Sequence, residues 1–184
     1  MRSGDGDERL RLFVAADLPP DVLAAVGEWR RRCLAPREEL RLAGGLHLTL
    51  CFLGDTSSLQ VPAIVAALGA LAVPALRLAL GDVLFLPEKG RKRVVALRLE
   101  DPSEGLVRLQ REMSEALRRL RLYRPERRPF LPHLTVARFR RPGQAFPLQN
   151  VNVQGFGLPA VILYSSVLEK GGAIHTPLAA FPAS

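Results

Sequence analysis

Cysteine, histidine and lysine are all scarce in this chain of 184 residues. The two cysteines, Cys33 and Cys51, form no C-x-x-C pair, which excludes a zinc ribbon and a thioredoxin-like redox site. Isolated thiols are typical of a reducing compartment, so we expect a cytoplasmic protein. Only three lysines occur, and arginine supplies the rest of the 26 basic residues.

Several catalytic and targeting signatures are also missing. The chain has no H-E-x-x-H, no G-x-S-x-G, no P-loop and no dinucleotide-binding fingerprint, so zincin, serine-hydrolase and nucleotide-driven chemistry lack support. No apolar run reaches the length of a membrane span, and the polar, acidic start does not resemble a signal peptide. We therefore expect no membrane partner.

The bulk composition indicates a folded, basic protein. At 48% hydrophobic and 24% charged residues, the chain is long enough to bury a core without disulfides or metals. We expect one domain over 1–184, with residues 1–8 disordered. The net charge of +8 favours polyanionic partners, nucleic acid first, although solvated surface charge is the alternative.

Hydrophobic periodicity predicts ten elements in the order β-α-β-α-β-β-α-β-β-β, hence an α+β protein with mainly antiparallel sheet. In the third helix Leu106, Leu109, Met113, Leu117 and Leu120 form one apolar stripe, and Ser103 can cap it. The predicted strands cover 9–20, 46–54, 76–86, 93–100, 132–140, 151–158 and 160–170, and the predicted helices cover 20–36, 59–72 and 102–122.

Two of the three histidines lie in matching contexts. "LHLTL" begins at Leu46 and "PHLTV" begins at Pro132, one in each half of the chain. Because side chains alternate across a strand, His47 and Thr49 share one face, as do His133 and Thr135. A single H-x-T is most simply a hydrogen-bonded core histidine, whereas two matched copies favour a site built from both halves.

Two histidines and two hydroxyls fit metal-free phosphoryl chemistry. A metal site needs a third ligand that neither strand supplies, and Cys51 is better explained as a small buried filler than as a nucleophile. One neutral imidazole activates water and one protonated imidazole protonates the leaving oxygen. Threonine hydroxyls and arginines hold the phosphate oxygens. We expect no metal and no cofactor.

The two motifs and their flanks resemble a known family. "RLFVAADLP", "LHLTLCFLGD" and "RPFLPHLTVARFR" are similar to the RNA 2′,3′-cyclic phosphodiesterases, also called 2′-5′ RNA ligases, of the two-histidine phosphoesterase superfamily. The resemblance implies two pseudo-symmetric lobes of mainly antiparallel sheet, with helices on the outer faces and a central cleft. It also implies metal-independent hydrolysis of an RNA-terminal 2′,3′-cyclic phosphate to a 2′-phosphate, with 2′-5′ ligation as a weak reverse reaction.

The resemblance also assigns roles to residues of this chain. His47 and His133 are the catalytic acid and base, with His133 favoured as base, and Thr49, Thr135 and Arg138 bind phosphate. Strict alternation puts Arg138 opposite Thr135, so this role requires the strand to twist, bulge or end there. Phe13 matches an aromatic position that stacks on the terminal base, with core packing as the alternative.

The remaining functional expectations concern partners and alternatives. We expect a monomer acting on RNA ends such as those of tRNA fragments. The alternative substrates are a small cyclic nucleotide or a nucleotide-sugar cyclic phosphate, and the alternative class is a non-catalytic RNA-binding module. His175, where the family commonly has tyrosine, is interpreted as a surface or turn histidine. The basic residues around the second motif (Arg127, Arg128, Arg138, Arg140, Arg141) and in the turn at 88–93 can follow an RNA backbone.

Overall fold

The computed structural model describes residues 7–125, 128–169 and 172–184. The strands are β1 (Arg9–Ala16), β2 (Leu40–Leu42), β3 (Leu48–Ser57), β4 (Leu78–Leu86), β5 (Lys92–Glu100), β6 (His133–Gly143), β7 (Val153–Phe156), β8 (Ala160–Glu169) and β9 (Gly172–Pro182). The helices are α1 (Pro20–Cys33), α2 (Val61–Gly69) and α3 (Gly105–Arg119), and a 3-10 turn at Ser58–Gln60 precedes α2.

The strands form two antiparallel sheets. One has the order β3-β1-β8-β9, and the other has the order β2-β6-β5-β4-β7. The first H-x-T motif leads into β3 of the four-stranded sheet, and the second opens β6 of the five-stranded sheet. Each motif therefore belongs to its own lobe, as the resemblance implied, and the α+β class with mainly antiparallel sheet is confirmed.

The helices cover the sheets on their outer faces. Helix α1 contacts β7 of the five-stranded sheet, whereas α2 and α3 contact each other and reach β9 and β3 of the four-stranded sheet. The predicted stripe of α3 is buried at Leu106, Leu109, Met113 and Leu117. These side chains join one apolar cluster that runs through both lobes, so the lobes share a core.

Two strands were absent from the predicted element order. The β2 strand has only three residues, too short for a periodic signal, and it exists because Leu40–Leu42 pairs with Ala137–Phe139 of β6. The β9 strand pairs with β8 along its whole length. His175 was interpreted as a surface or turn histidine, and the turn is wrong, since that residue lies within β9 opposite Ser166.

The ends of the predicted elements also shift. Helix α3 starts at Gly105 because Asp101 and Ser103 accept hydrogen bonds from the amides of Leu106 and Gly105. The N-cap residue is Glu104 rather than the predicted Ser103, but Ser103 and Asp101 still accept hydrogen bonds from the first amides of the helix. Of the segment expected to be disordered, Asp7 and Glu8 are described, and they hydrogen-bond to Ser57 and Ser58. None of the helices in the described ranges has the length and apolar character of a membrane span.

Candidate active site

All six residues singled out in the sequence line one cleft. Its volume is about 570 Å³, within the range of about 300–1,000 Å³ that small-molecule sites occupy. The lobe of β3 contributes Phe13, His47 and Thr49, and the lobe of β6 contributes His133, Thr135 and Arg138. The expected convergence of the two motifs on a central cleft is thus present in the fold.

The two motifs alternate as predicted up to their threonines. Leu48 and Leu134 are fully buried, while the flanking histidines and threonines are partly exposed. The apolar face of each strand therefore packs into the core, and the His-Thr face is left to the cleft.

A β-bulge follows each threonine. In β6, Thr135 pairs with Ala96 and Ala137 pairs with Val95, so Val136 is an extra residue. In β3, Thr49 pairs with Ala15 and Cys51 pairs with Val14, so Leu50 is extra. An inserted residue reverses the alternation beyond it. The bulge in β6 returns Arg138 to the face of Thr135, which is the irregularity that the role of Arg138 required.

The equivalent bulge in β3 aims Phe52 into the cleft. Phe52 stands three residues after Thr49, as Arg138 stands three after Thr135. Its side chain is 47% exposed, and the guanidinium of Arg11 lies 5.0 Å from its ring centre. Sequence periodicity does not reveal Phe52 as a cleft residue, because strict alternation puts it on the face opposite Thr49, and only the bulge reverses that alternation.

Phe13 is almost completely enclosed. It is 3% exposed, and its ring centre lies 5.2 Å from that of Tyr164, in a stacked arrangement, and 5.0 Å from that of His47. This burial favours packing, the alternative interpretation, and leaves little ring surface for a nucleobase. In this position Phe13 supports the ring of His47.

The segment before His47 is tied to the lobe of the five-stranded sheet. The amide of Ala43 donates to the carbonyl of Val136, the bulge residue of β6, at 3.1 Å, and Arg30 of α1 donates to the Ala43 carbonyl. Gly45 lies so close that a Cβ there would be 3.2 Å from Nδ1 of His47. The glycine therefore allows the loop to pass over the imidazole and fix its position.

His47 is held in its neutral form by its surroundings. Burial, and then the charge of His175, lower its pKa from 6.5 to about 4, and Arg138 acts in the same direction. Asp17, which accepts a hydrogen bond from the hydroxyl of Tyr164 at 2.8 Å, opposes the shift. An imidazole with this pKa is uncharged at neutral pH in the free protein.

His133 has a defined tautomer instead. Its Nδ1 lies 2.8 Å from the carbonyl oxygen of Leu131, which can only accept, so Nδ1 carries a hydrogen. This hydrogen bond orients the ring and leaves Nε2 as the nitrogen that exchanges protons in the cleft.

His175 is a third histidine in the cleft. Its ring centre lies 5.2 Å from that of His47 and 4.9 Å from that of Phe13, in edge-on arrangements. Its Nδ1 is buried without a hydrogen-bond partner among the described residues. Burial lowers the pKa of His175 as well. No sequence signal connected this residue to the motifs, because β8 and β9 join the first lobe only through long-range strand pairing.

Cys51 is not available as a nucleophile. The bulge turns it toward the core, where it is 1% exposed, and burial raises the pKa of its thiol to about 12. A protonated, enclosed thiol is inert, which supports the filler interpretation.

The charge and the surroundings of the cleft suit an anion. Arg11, Arg41 and Arg138 line it, and Glu169 is the one carboxylate among its described lining residues.

A second cavity, of about 810 Å³, adjoins the cleft and shares Thr49, Phe52 and His133 with it. In residues 7–125, 128–169 and 172–184 no three His, Cys, Asp or Glu side chains come together as a metal-ligand set.

Comparison with known proteins identifies the family. Two antiparallel sheets that meet at paired H-x-T motifs define a two-histidine phosphoesterase fold. The family model described as the 2′-5′ RNA ligase superfamily matches residues 18–154. The chain belongs to this superfamily.

Curated relatives and solved structures agree with that placement. The RNA 2′,3′-cyclic phosphodiesterase of Escherichia coli K12 is 31% identical over 172 residues, covering 93% of this chain and 95% of the relative. The protein of the same name from Thermus thermophilus is 29% identical over 181 residues, covering 94% and 89%. The crystal structure of E. coli LigT complexed with 3′-AMP superposes with a TM-score of 0.83 at 29% identity, covering 96% and 99%.

Proposed function

We propose that this protein is an RNA 2′,3′-cyclic phosphodiesterase that produces a 2′-phosphate end. The observation that carries the proposal is the convergence of His47, Thr49, His133, Thr135 and Arg138 in one basic cleft, with matched bulges after both threonines. Relatives of that name cover nearly the whole chain. An RNA substrate is consistent with the net charge of +8.

The proposed reaction is a hydrolysis by general acid-base catalysis. One imidazole takes a proton from water as the water oxygen bonds to phosphorus. The bond from phosphorus to O3′ breaks, and the other imidazole delivers its proton to O3′. The hydroxyls of Thr49 and Thr135 and the guanidinium of Arg138 donate to the non-bridging oxygens, where negative charge accumulates.

The environment of the histidines favours His47 as the base. Its lowered pKa keeps it neutral and able to accept a proton, whereas the resemblance favoured His133 in that role. In the proposed assignment His133, oriented by the carbonyl of Leu131, protonates the leaving oxygen through Nε2. A bell-shaped pH profile does not separate the two assignments, because either one requires one protonated and one neutral ring.

A substrate with sulfur in place of O3′ separates them. A thiolate leaves without help from an acid, so the variant that lacks the acid recovers activity on this substrate and the variant that lacks the base does not. We expect recovery in His133→Gln and none in His47→Gln. The opposite pattern restores the assignment that the resemblance favoured.

The overall function is tested by product analysis. An oligoribonucleotide ending in a 2′,3′-cyclic phosphate is incubated with the protein in EDTA, and the product end is identified. We expect a 2′-phosphate, with His47→Gln and His133→Gln each slower by about 10²–10⁴-fold. Arg31→Gln, an exposed change on α1 away from the cleft, is the matched control. A 3′-phosphate product, or full activity in either histidine variant, contradicts the proposal.

Phe52 is the residue that we propose for stacking on the terminal base, in place of Phe13. It is the exposed aromatic ring of the cleft, and it borders both cavities. Reverse 2′-5′ ligation, a monomeric state, a cytoplasmic location and tRNA fragments as substrates remain expectations from the sequence analysis. Turnover of a cyclic mononucleotide or nucleotide-sugar at the same rate as RNA would favour the first alternative. RNA binding without turnover at any pH would favour the binding module.

A further inference from the structure

A third cavity, lined by arginines, adjoins the catalytic cleft on the side of Arg41 and Arg138. It has a volume of about 470 Å³ and is lined by Arg41, Arg93, Arg138 and Arg140, together with Phe139 and Pro142. Arg41 and Arg138 line the catalytic cleft as well, so the two spaces are neighbours. No carboxylate is among the described residues that line it.

The strand register concentrates positive charge at the junction. Arg41 of β2 is directly opposite Arg138 of β6, so both side chains are on the same face of the sheet. Like charges in directly opposed positions destabilise a sheet. An anion between the two guanidinium groups removes that repulsion, so the arrangement favours anion binding at this position.

Other basic side chains of this region are already engaged. The ammonium of Lys92 donates to the carbonyls of Pro87 and Glu88, Arg91 donates to the carbonyl of Pro142, and Arg140 donates to those of Glu38 and Leu40. They brace the turn at 88–93 and the β2 edge. In contrast, the side chains of Arg41 and Arg93 make no hydrogen bond or ion pair with the described part of the chain.

We infer that this arginine-lined cavity binds the internucleotide phosphate next to the terminal nucleotide of a single-stranded RNA, an inference that rests on the proposed function. The cyclic phosphate occupies the histidine cleft, and the strand leaves along Arg138 and Arg41 toward Arg93. Guanidinium groups bind phosphate through paired hydrogen bonds, and Arg41 and Arg93 have donors free to do so. The cavity thereby selects an RNA strand over a cyclic mononucleotide.

Binding is measured independently of catalysis by fluorescence anisotropy. The probe is a labelled single-stranded pentaribonucleotide with a 3′-phosphate, titrated at several salt concentrations. For Arg93→Gln we expect roughly three- to tenfold weaker binding. The slope of log affinity against log salt becomes shallower by about 0.7 for each phosphate that the variant no longer neutralises. Arg93→Lys keeps the charge and recovers part of the affinity, and Arg31→Gln is the control for net charge.

Catalysis supplies the second measurement. The quantity compared is kcat/KM for an oligoribonucleotide ending in cyclic phosphate, divided by kcat/KM for 2′,3′-cyclic AMP. We expect this ratio to fall in Arg93→Gln and to fall further in the Arg41→Gln, Arg93→Gln double variant. Equal losses in Arg93→Gln and Arg31→Gln, or no binding of the pentaribonucleotide, overturn the inference. Arginine-dependent RNA binding without hydrolysis supports the RNA path and contradicts the proposed phosphodiesterase instead.

Discussion

Acidification is expected to destabilise the folded protein through His47. Its pKa is lowered from 6.5 to about 4 in the folded chain, and the unfolded chain restores the ordinary value. The unfolded state therefore binds a proton between these pH values that the folded state does not bind. The stabilising contribution of the neutral ring is complete above pH 6.5 and is lost as the pH falls toward 4.

The size of the effect follows from the pKa difference. Each pH unit over that interval corresponds to about 1.4 kcal/mol, so the full contribution is at most about 3.5 kcal/mol. The ring borders the cleft and keeps some contact with water, which reduces the value. An effect of about 2 kcal/mol is a large share of the roughly 5–15 kcal/mol that stabilises a typical domain.

The assay compares two proteins over a pH series. Urea unfolding of the wild type and of His47→Gln gives the free energy of unfolding at each pH from about 4 to about 7.5, the range that brackets the titration. Carboxylates titrate equally in both, so the difference between the curves isolates His47. We expect that difference to change by about 2–3 kcal/mol in favour of the variant on going from about pH 7 to about pH 4.

The contribution of His175 is separable by NMR titration of His47. In His175→Gln the neighbouring charge is gone while burial remains, so the pKa of His47 rises but stays below 6.5. Parallel unfolding curves for wild type and His47→Gln, or a His47 pKa near 6.5 in the wild type, refute the reasoning.

Three further changes test the site and its support. Gly45→Ala pushes the His47 ring by a few tenths of an ångström, and since misplacement by about 1 Å can cost about 10²-fold, we expect a several-fold lower kcat with near-normal unfolding. Tyr164→Phe removes the hydrogen bond to Asp17 and lowers the free energy of unfolding by about 1–2 kcal/mol, measured by urea denaturation. Cys51→Ala keeps full hydrolytic activity in a steady-state assay, and a large loss would show that the thiol takes part in the chemistry.

Much of the site was predictable because strand alternation is a local property. The period of two puts His47 with Thr49 and His133 with Thr135, and it buries Leu48 and Leu134, as the structure has them. The helical stripe of α3 was predictable for the same reason. These features depend on neighbouring residues alone.

Long-range strand pairing determined the parts of the fold and of the site that the sequence did not predict. The strand β2 forms only against β6, and β9 brings His175 into the first lobe only through its pairing with β8. Two inserted residues, Leu50 and Val136, are visible only in the register with partner strands. Local sequence carries no record of partners far away in the chain, so these elements had no periodic signal of their own.

The sequence by itself determined the chemistry that is available, and the tertiary structure decided how it is tuned. Two H-x-T motifs already predict paired imidazoles and hydroxyls on strand faces. Only the fold sets the bulges that turn Arg138 and Phe52 toward the cleft and bury Cys51. Only the fold encloses His47 beside His175, because a pKa depends on burial and on charges that distant segments bring close.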